Sequence, residues 1–512
     1  MRDMGDSDDA GSFVRYGIED RPPLKKSLLL GVQHYLTMVG ANIAVPLILA
    51  GALGMPAEII PRFVGTFFVV SGVATLAQTT VGNRYPIVQG APFSMLAPAL
   101  AIIGVVTANP PQGIAAWRAA LLQLQGAIVV AALVEVAIGY LGLVGKLRQY
   151  LSPVVIAPVI ALIGLSLFNS PDVTAANQNW WLSGFTLIAI VAFSQYLDSR
   201  STLFKLFPVL LGIVAAWVVA AALSVAGVFG PGAPGYVDLA SVAGADPIHP
   251  IYPLQWGMPS LTPAFVVGML AGVAASIIES IGDYHAVARL SGMGAPSGKR
   301  MTHGIGMEGL MNVFSGLMGT NGSTSYSENV GAIGLTGVAS RYVVQVGAAL
   351  MLVVGFVGYF GQLVATIPSP IVGGLYIAMF GQIVAVGLSN LKYVDLDSSR
   401  NIFILGIALF SGMAIPEYMS NVGSASAFQE GLANTAFLGP ILGTDVVANT
   451  VFVIGSTGMA VGGLVAIFLD NTVAGTDDER GLTAWAESAE ADTDFASAYD
   501  RLVADDDPAR AD

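Results

Sequence analysis

The fold of this protein is decided by a polar interruption between two apolar segments, the stretch STSYSENVGAIGLTGVASR that runs from Ser323 to Arg341. It places a carboxylate and an amide side by side, Glu328 and Asn329, amid serine, threonine and glycine. The stretch is too short and too polar to cross a bilayer as a regular helix, which needs about 20 apolar residues. It therefore predicts a broken span, with Glu328 near the start of a half-helix.

The rest of the chain is strongly apolar. Of its 512 residues, 54% are hydrophobic and only 11% are charged, whereas a soluble domain carries about 25% charged residues. This composition predicts an all-α polytopic membrane protein. The absence of cysteine excludes disulfides and thiolate sites, and the four histidines are too scattered to form a metal site. The charged N-terminus has no apolar core, so we expect no cleaved signal peptide.

Apolar runs of spanning length recur between short polar breaks, and they predict fourteen transmembrane segments. The predicted spans are 27–49, 63–81, 86–104, 119–141, 151–168, 181–197, 205–228, 262–284, 303–320, 326–338, 342–365, 369–389, 401–416 and 447–469. The mixed segment 417–446 is expected to be partly interfacial. An even number of spans places both termini on one side of the membrane.

The loop charges support this register of spans. Only Arg62 and Arg118 fall in loops on the side opposite the N-terminus. Eleven basic residues fall on the N-terminal side: Arg84, Lys146, Arg148, Arg200, Lys205, Arg289, Lys299, Arg300, Arg341, Lys392 and Arg400. Because lysine and arginine concentrate in cytoplasmic loops, we expect a multi-pass protein of the plasma membrane with both termini in the cytoplasm.

A second broken span indicates an internal repeat. The third span contains YPIVQGAPFSMLAPAL (residues 85–100), which prolines and glycine interrupt. Spans three and ten are seven apart, half of fourteen, and paired interrupted segments in the two halves of a chain are typical of inverted-repeat transporters. A weaker similarity relates SPVVIAPVIALIGLSL (residues 152–167) to SPIVGGLYIAMFGQIVAVGLS (residues 369–389), since both begin with Ser-Pro and have Gly-Leu-Ser at or near their ends. The binding site is expected where the broken helices meet.

Carboxylates within the spans are candidate site residues, because each costs near 3 kcal/mol in mid-membrane and usually faces a cavity or pathway. Glu279 and Asp283 lie four residues apart, on one face of the eighth span. A carboxyl group that exchanges a proton is what proton coupling requires, although Asp283 could instead end its helix at the cytoplasmic surface. Glu328 lies where unpaired backbone N–H groups can be aimed at a ligand, and Gly331 allows close approach.

Other polar and aromatic residues within the spans could have either a functional or a structural role. Gln33 and His34 lie well inside the first span, where His34 could serve coupling or act as a structural hydrogen-bonding group. Phe93, in the third span, could stack on a flat ring or pack in the core. Glu135 and Glu308 are expected to be internal hydrogen-bonding partners.

These motifs resemble those of the nucleobase–ascorbate transporters, also called the nucleobase:cation symporter-2 or xanthine/uracil permease family. Glu328-Asn329-Val330-Gly331 followed by Thr336 is similar to the family signature of Gln, Glu or Pro, then Asn-x-Gly-x4-Thr, and Gln33-His34 is similar to its Gln-His pair. The segments IIESIGDYHAVARL, GTNGSTSYSENVGAIGLT and VGLSNLKYVDLDSSRN look like the eukaryotic ascorbate and plant-type branches. The resemblance covers roughly residues 25–470.

The resemblance implies seven-plus-seven inverted repeats, with short strands before the half-helices of spans three and ten. It implies a homodimer in which a core domain moves against a gate domain as an elevator. The implied boundaries are an N-terminal tail (1–24), core (25–145), gate (146–260), core (261–366), gate (367–470) and an acidic tail (471–512). That tail carries a net charge of −9 from residue 477 onward, with twelve acidic residues against three arginines, and is expected to be solvated.

The resemblance also implies the roles of the site residues. Glu279 and Glu328 would hold the substrate, Phe93 would contact its ring, and backbone near Gly331 and Phe93 would donate, with Asn329 beside them. The candidates for ion coupling are Asp283, Glu279, His34 and Gln33. No cofactor is implied beyond the coupling ion, for which H+ is expected and Na+ is the alternative.

The sequence departs from parts of the family pattern. The position that is proline in ascorbate carriers is Glu328 here, which argues against an anionic substrate. Asp283 stands where bacterial uracil carriers have histidine, and in this respect the chain resembles the purine carriers. In contrast, Gly337 replaces the basic residue that the family has at a position associated with purine recognition. The expected substrate is therefore a nucleobase, uracil or a xanthine-like purine.

The alternatives belong to other classes of substrate and protein. They are an ascorbate or other anion carrier of the same fold, or a membrane-embedded enzyme, which would need a nucleophile–base or metal set that the sequence does not show. The acidic net charge of −13 argues against nucleic acid as a partner.

Overall fold

Long apolar segments form helices here because a chain in hydrocarbon must satisfy its backbone N–H and C=O groups internally. The computed structural model describes residues 14–167, 175–483, 495–497 and 500–501. The elements of the first half are α1 (Leu24–Leu53), α2 (Ile60–Thr80), β1 (Gln89–Gly90), α3 (Leu96–Ala108), α4 (Ala116–Tyr140), α5 (Val144–Tyr150), α6 (Pro153–Leu165), α7 (Trp180–Val191), α8 (Thr202–Leu206), α9 (Pro208–Val225) and α10 (Leu239–Ala243). A 3-10 turn precedes α7 and a π-turn follows it.

The second half repeats this helical pattern. Its elements are α11 (Pro263–Leu290), α12 (Gly298–Met318), β2 (Thr324–Ser325), α13 (Ser327–Thr336), α14 (Arg341–Phe356), α15 (Gly358–Ala365), α16 (Ser369–Ser389), α17 (Ser399–Val422), α18 (Ala425–Ala433), α19 (Gly439–Leu442), α20 (Asp445–Gly455) and α21 (Gly458–Thr472). The mixed segment 417–446 thus holds the end of α17 and two short helices. A 3-10 turn, Asn390–Tyr393, follows α16.

Seven helices among the described residues are long and apolar enough to cross a membrane, and an eighth crossing is counted if α20 and α21, bent by 91°, form one span. Each predicted span contains at least one helix, but several are short, so the count of fourteen crossings stays a prediction. The predicted span 342–365 is two helices. The chain breaks at the extended residue Val357, which pairs with Ile248 in an isolated antiparallel bridge.

The two broken spans meet as expected. Strands β1 and β2 pair antiparallel, with Gln89 opposite Ser325 and Gly90 opposite Thr324. The half-helices α3 and α13 follow these strands. Gly90 is required at its position because a Cβ atom there would lie 2.5 Å from the ring of Tyr326. The sequence prediction of a strand followed by a half-helix in spans three and ten is confirmed.

The helices pack in two groups around these broken spans. In one group, α4 packs against α11 and α12, while α14 packs against α1 and α2. In the other, α6 packs against α16 and α21, and α7 against α9 and α16. The backbones of α1 and α14 approach closely at Gly31 and Gly347, because a Cβ on Gly31 would lie 2.8 Å from the Gly347 nitrogen. The division into core and gate domains follows these groups but stays a prediction.

The described part of the C-terminal tail is exposed over residues 471–478, as its charge predicts, whereas some residues farther along contact the helices. Asp470, fully buried at the end of α21, accepts hydrogen bonds from Arg400 and Arg480 and from the hydroxyl of Ser152. Farther along, Phe495 is buried beneath Arg300. Arg480 of the tail donates to the buried carboxylate of Asp470, and Phe495 packs against Arg300. These two tail residues are therefore held against the helices.

Candidate functional site

A cavity of about 830 Å³ lies between the two groups of helices, beside the broken spans. One wall comes from the core group and carries Tyr326 together with five residues that the sequence singled out, namely Phe93, Glu279, Asp283, Glu328 and Gly331. The opposite wall, from α6 and α16, is mainly apolar and includes Ile156, Ile160, Met379, Gln382 and Ile383. The structure therefore brings together five of the eight predicted site residues at one cavity.

Glu328 is the second residue of α13, and its side chain is exposed to the cavity. The first N–H groups of a helix have no partner within it, so the start of α13 offers donors beside this carboxylate. Gly331 lies one turn farther on the same face. No heavy atom lies within 4 Å of the place a Cβ would take at Gly331, so this part of the helix faces open space. A ligand can reach both the carboxylate and the backbone.

Glu279 and Asp283 both line the cavity from one face of α11, but they are held differently. Asp283 accepts a hydrogen bond at each carboxylate oxygen, from Ser325 at 2.7 Å and from Ser327 at 2.7 Å. It is thereby tied to the broken span. The half-buried carboxylate of Glu279 has no hydrogen-bond or ion-pair partner among the described residues. Glu279 is therefore the freer of the two to accept from a ligand.

A buried hydroxyl network lies behind the cavity wall, and its centre is Glu308. This carboxylate accepts from Ser276 at 2.9 Å, from Ser280 at 2.6 Å, from Thr324 at 3.1 Å and from Tyr284 at 3.2 Å. It does not line the cavity, which fits the expected role of an internal hydrogen-bonding partner.

The network extends to the cavity through serine hydroxyls. Ser280 lies 2.9 Å from Ser325, which in turn donates to Asp283. Sequence reasoning named these carboxylates but missed the serines that join them. The available signal was Ser276 and Ser280, one helical turn apart and interleaved with Glu279 and Asp283. On the other side, Glu135 accepts from Asn312 at 2.8 Å, as an internal partner should.

Asn329, His34 and Gln33 do not line the cavity. Asn329 is fully buried; its oxygen accepts from the N–H of Val88 at 2.9 Å and its nitrogen lies 2.8 Å from His34 Nδ1. The side chain thus joins both broken spans to α1. Gln33 is half-buried on α1. The predicted direct roles of these three residues in binding or coupling stay predictions.

Phe93 lies on the cavity wall just ahead of α3 and packs against the protein, while its predicted contact with a substrate ring stays a prediction. Its ring packs edge-to-face against Phe380 of α16, with ring centroids 6.2 Å apart and planes at 86°. Phe380 in turn stacks on Tyr376 at 5.4 Å. An aromatic face beside two carboxylates suits a flat polar ring.

The described residues contain no group of three His, Asp or Glu side chains that could hold a metal ion.

Comparison with known proteins agrees with this geometry. Residues 25–420 match the family model for xanthine/uracil permeases, which is described as a permease family. The chain belongs to the xanthine/uracil permease family. Its relatives are named as solute carriers and transporters and not as enzymes, so the protein is a multi-pass membrane transporter of a small molecule.

The similar curated proteins cover most of this permease. It is 40% identical to solute carrier family 23 member 1 of Rattus norvegicus, over 94% of this chain and 83% of the relative. It is also 40% identical to solute carrier family 23 member 2 of Homo sapiens, over 94% and 78%. Nucleobase-ascorbate transporter 12 of Arabidopsis thaliana is 33% identical, over 95% and 74%.

Solved structures share the fold of this permease at low identity. The transmembrane domain of the cyanobacterial bicarbonate transporter BicA aligns with a TM-score of 0.54 at 16% identity, over 78% of this chain and 98% of that one. The structure of SLC26A9 aligns with a TM-score of 0.55 at 13% identity, over 77% and 63%. At this identity the likeness concerns the fold alone.

Proposed function

We propose that this permease imports a nucleobase, uracil or a xanthine-like purine, by cation symport. The observation that supports this most is that Glu279 and Glu328 face one cavity from two different spans, and neither takes part in an ion pair among the described residues. A flat heterocycle with N–H groups can donate to both carboxylates. Its C=O groups can accept from backbone N–H groups at the start of α13, while Phe93 contacts the ring face.

The charge of the cavity disfavours the alternative of ascorbate or another anion. Three carboxylates occupy the core wall, at Glu279, Asp283 and Glu328, and the arginine and lysine side chains that line the cavity are Arg289 and Lys392. Both basic residues lie at or beyond the ends of their helices and are exposed. An anion at the half-helices would face uncompensated negative charge, which is costly in a site of low dielectric constant.

The proposed coupling ion is H+, and Na+ is the alternative. A proton is supported by the position of Glu279 and Asp283 on one face of α11, because two like charges at one buried site favour proton binding by one of them. Asp283 also contacts the hydroxyl network of Glu308 through Ser325. Substrate and proton would cross with the core as it moves against the largely apolar gate wall, in a homodimer. Removal of the proton gradient with a protonophore and replacement of Na+ in the medium separate the two ions.

The test is uptake of labelled uracil and xanthine by cells that express the permease, with competition by a panel of nucleobases. Glu279→Gln and Glu328→Gln should each raise KM by roughly tenfold to a hundredfold, because each removes a charged hydrogen-bond acceptor worth about 1.5–3 kcal/mol. Glu58→Gln, which changes an exposed glutamate in the loop after α1, is the matched control. Unaltered uptake in both cavity variants at normal membrane content would refute the site.

A further inference from the structure

The N-terminal segment ahead of α1 is paired with the chain that leaves the tenth span. The N–H groups of Arg15 and Tyr16 donate to the carbonyl of Gly337, at 2.7 and 3.2 Å. In return, Ala339 donates to the carbonyl of Tyr16 at 2.8 Å, and Arg341 to that of Ile18 at 3.1 Å. Gly337 ends α13 in the left-handed conformation with φ 69°. The N-terminal segment is therefore fixed against the end of the half-helix that carries Glu328.

This pairing places Glu19 between two arginines that flank different broken spans. Arg84, just ahead of the third span, donates from Nη2 to Glu19 Oε1 at 2.8 Å. Arg341, the first residue of α14, donates from Nε and Nη2 to Glu19 Oε2 at 2.9 and 2.5 Å. The arginine side chains are each 11% exposed, and the glutamate side chain is 60% exposed.

The electrostatics of this group favour an ionised Glu19. Burial raises the pKa of Glu19, but the hydrogen bond from Arg341 and the charges of Arg341 and Arg84 outweigh burial and leave the pKa below its usual value. Without the carboxylate, two largely buried guanidinium groups would face each other with no compensating charge. Their repulsion would act directly on the chain segments that lead into the paired strands and out of α13.

We propose that Glu19 is a positioning residue for the cavity, because one carboxylate clamps together the ends of the two broken spans and so fixes the spacing of their half-helices. Arg84 precedes strand β1 by five residues, and Arg341 follows the end of α13 by five. A change in the distance between Arg84 and Arg341 is therefore transmitted over a short length of chain to Phe93 and Glu328. The proposal rests on the proposed function only for its uptake measurement.

The first test compares the uptake kinetics of Glu19→Gln and Glu19→Asp with those of the original chain. Glu19→Gln should raise KM about fivefold, as expected for the loss of two partly exposed ion pairs, and Glu19→Asp should raise it less. Glu58→Gln is the control.

A second measurement does not depend on which substrate is carried. The chain contains no cysteine, so Gly331→Cys provides a single thiol that faces the open cavity. Its rate of alkylation by N-ethylmaleimide should change by about fivefold when Glu19→Gln is added, because α13 shifts. If nucleobases are not transported at all, the proposed function fails while this measurement still reports on the clamp.

Two results would overturn the proposal. One is a Glu19→Gln variant whose KM and alkylation rate both equal those of the unchanged Glu19 background. The other is a variant whose membrane content falls while KM and the alkylation rate stay constant, since Glu19 would then support folding without positioning the site.

Discussion

Asn329 offers the sharpest test of how the two broken spans are held together. Its side chain is fully buried and satisfies two groups that no other described side chain reaches: the N–H of Val88 at 2.9 Å and His34 Nδ1 at 2.8 Å. Asn329→Ala leaves both groups buried without a partner, and each such loss costs about 1–3 kcal/mol. The free energy of unfolding should therefore fall by about 2–6 kcal/mol.

The assay is a thermal melt of the purified permease in detergent. A loss of this size corresponds to a melting temperature lower by roughly 2–6 °C for a chain of 512 residues, and uptake should fall with it because Val88 leads into strand β1. Asn421→Ala is the matched control: Asn421 is exposed on α17 and bonds only within its own helix, to Glu417. If Asn329→Ala melts and transports like Asn421→Ala, the argument that Asn329 holds the broken spans together is wrong.

Three further predictions concern packing and charge away from the cavity. Gly31→Val should prevent close contact of α1 and α14 and lower the yield of folded protein. Gly104→Ala is the control and should not lower the yield, because no atom lies within 4 Å of the Cβ position at Gly104. Fluorescence-detected size exclusion measures the yield of folded protein for the two variants. Asp470→Asn removes a buried carboxylate from two arginines and should cost about 3–5 kcal/mol, seen as a lower melting temperature. Because the pKa of Glu19 is lowered, its clamp should hold at any pH above the usual glutamate value of about 4.3 and loosen only as pH falls below it. The ratio of the Gly331→Cys alkylation rates with and without Glu19→Gln, in which the pH dependence of the thiolate itself cancels, should therefore be constant near neutrality.

Much of the architecture followed from residue patterns, because hydrocarbon permits so few backbone arrangements. Long apolar runs predicted helices at nearly the observed places, and prolines and glycines marked spans three and ten as broken. The carboxylates Glu279, Asp283 and Glu328 were predicted to share a site and do line one cavity. The cost of burying a charge in a membrane makes such residues conspicuous in any sequence.

Residue patterns did not predict the contacts between distant parts of the chain. Ser325 and Ser327 were read as members of a polar interruption, and only the structure shows that both donate to Asp283. Asn329 was expected beside the substrate but lies behind the cavity wall. A neutral hydroxyl or amide costs less to bury than a charge, so its position in a sequence does not indicate its role. Its contribution to stability depends on the hydrogen-bond partner that it meets in the folded protein.

The sequence by itself determined a helical membrane protein with two interrupted spans and acidic residues within them, because hydropathy and helix-breaking residues act locally. The tertiary structure alone decided which carboxylate is free and which is held, and it placed Glu19, an ordinary residue of a charged tail, between Arg84 and Arg341. Those pairings join residues 65 and 322 positions apart. Electrostatic contacts act through space and leave no periodic trace along the chain, so only the folded arrangement reveals them.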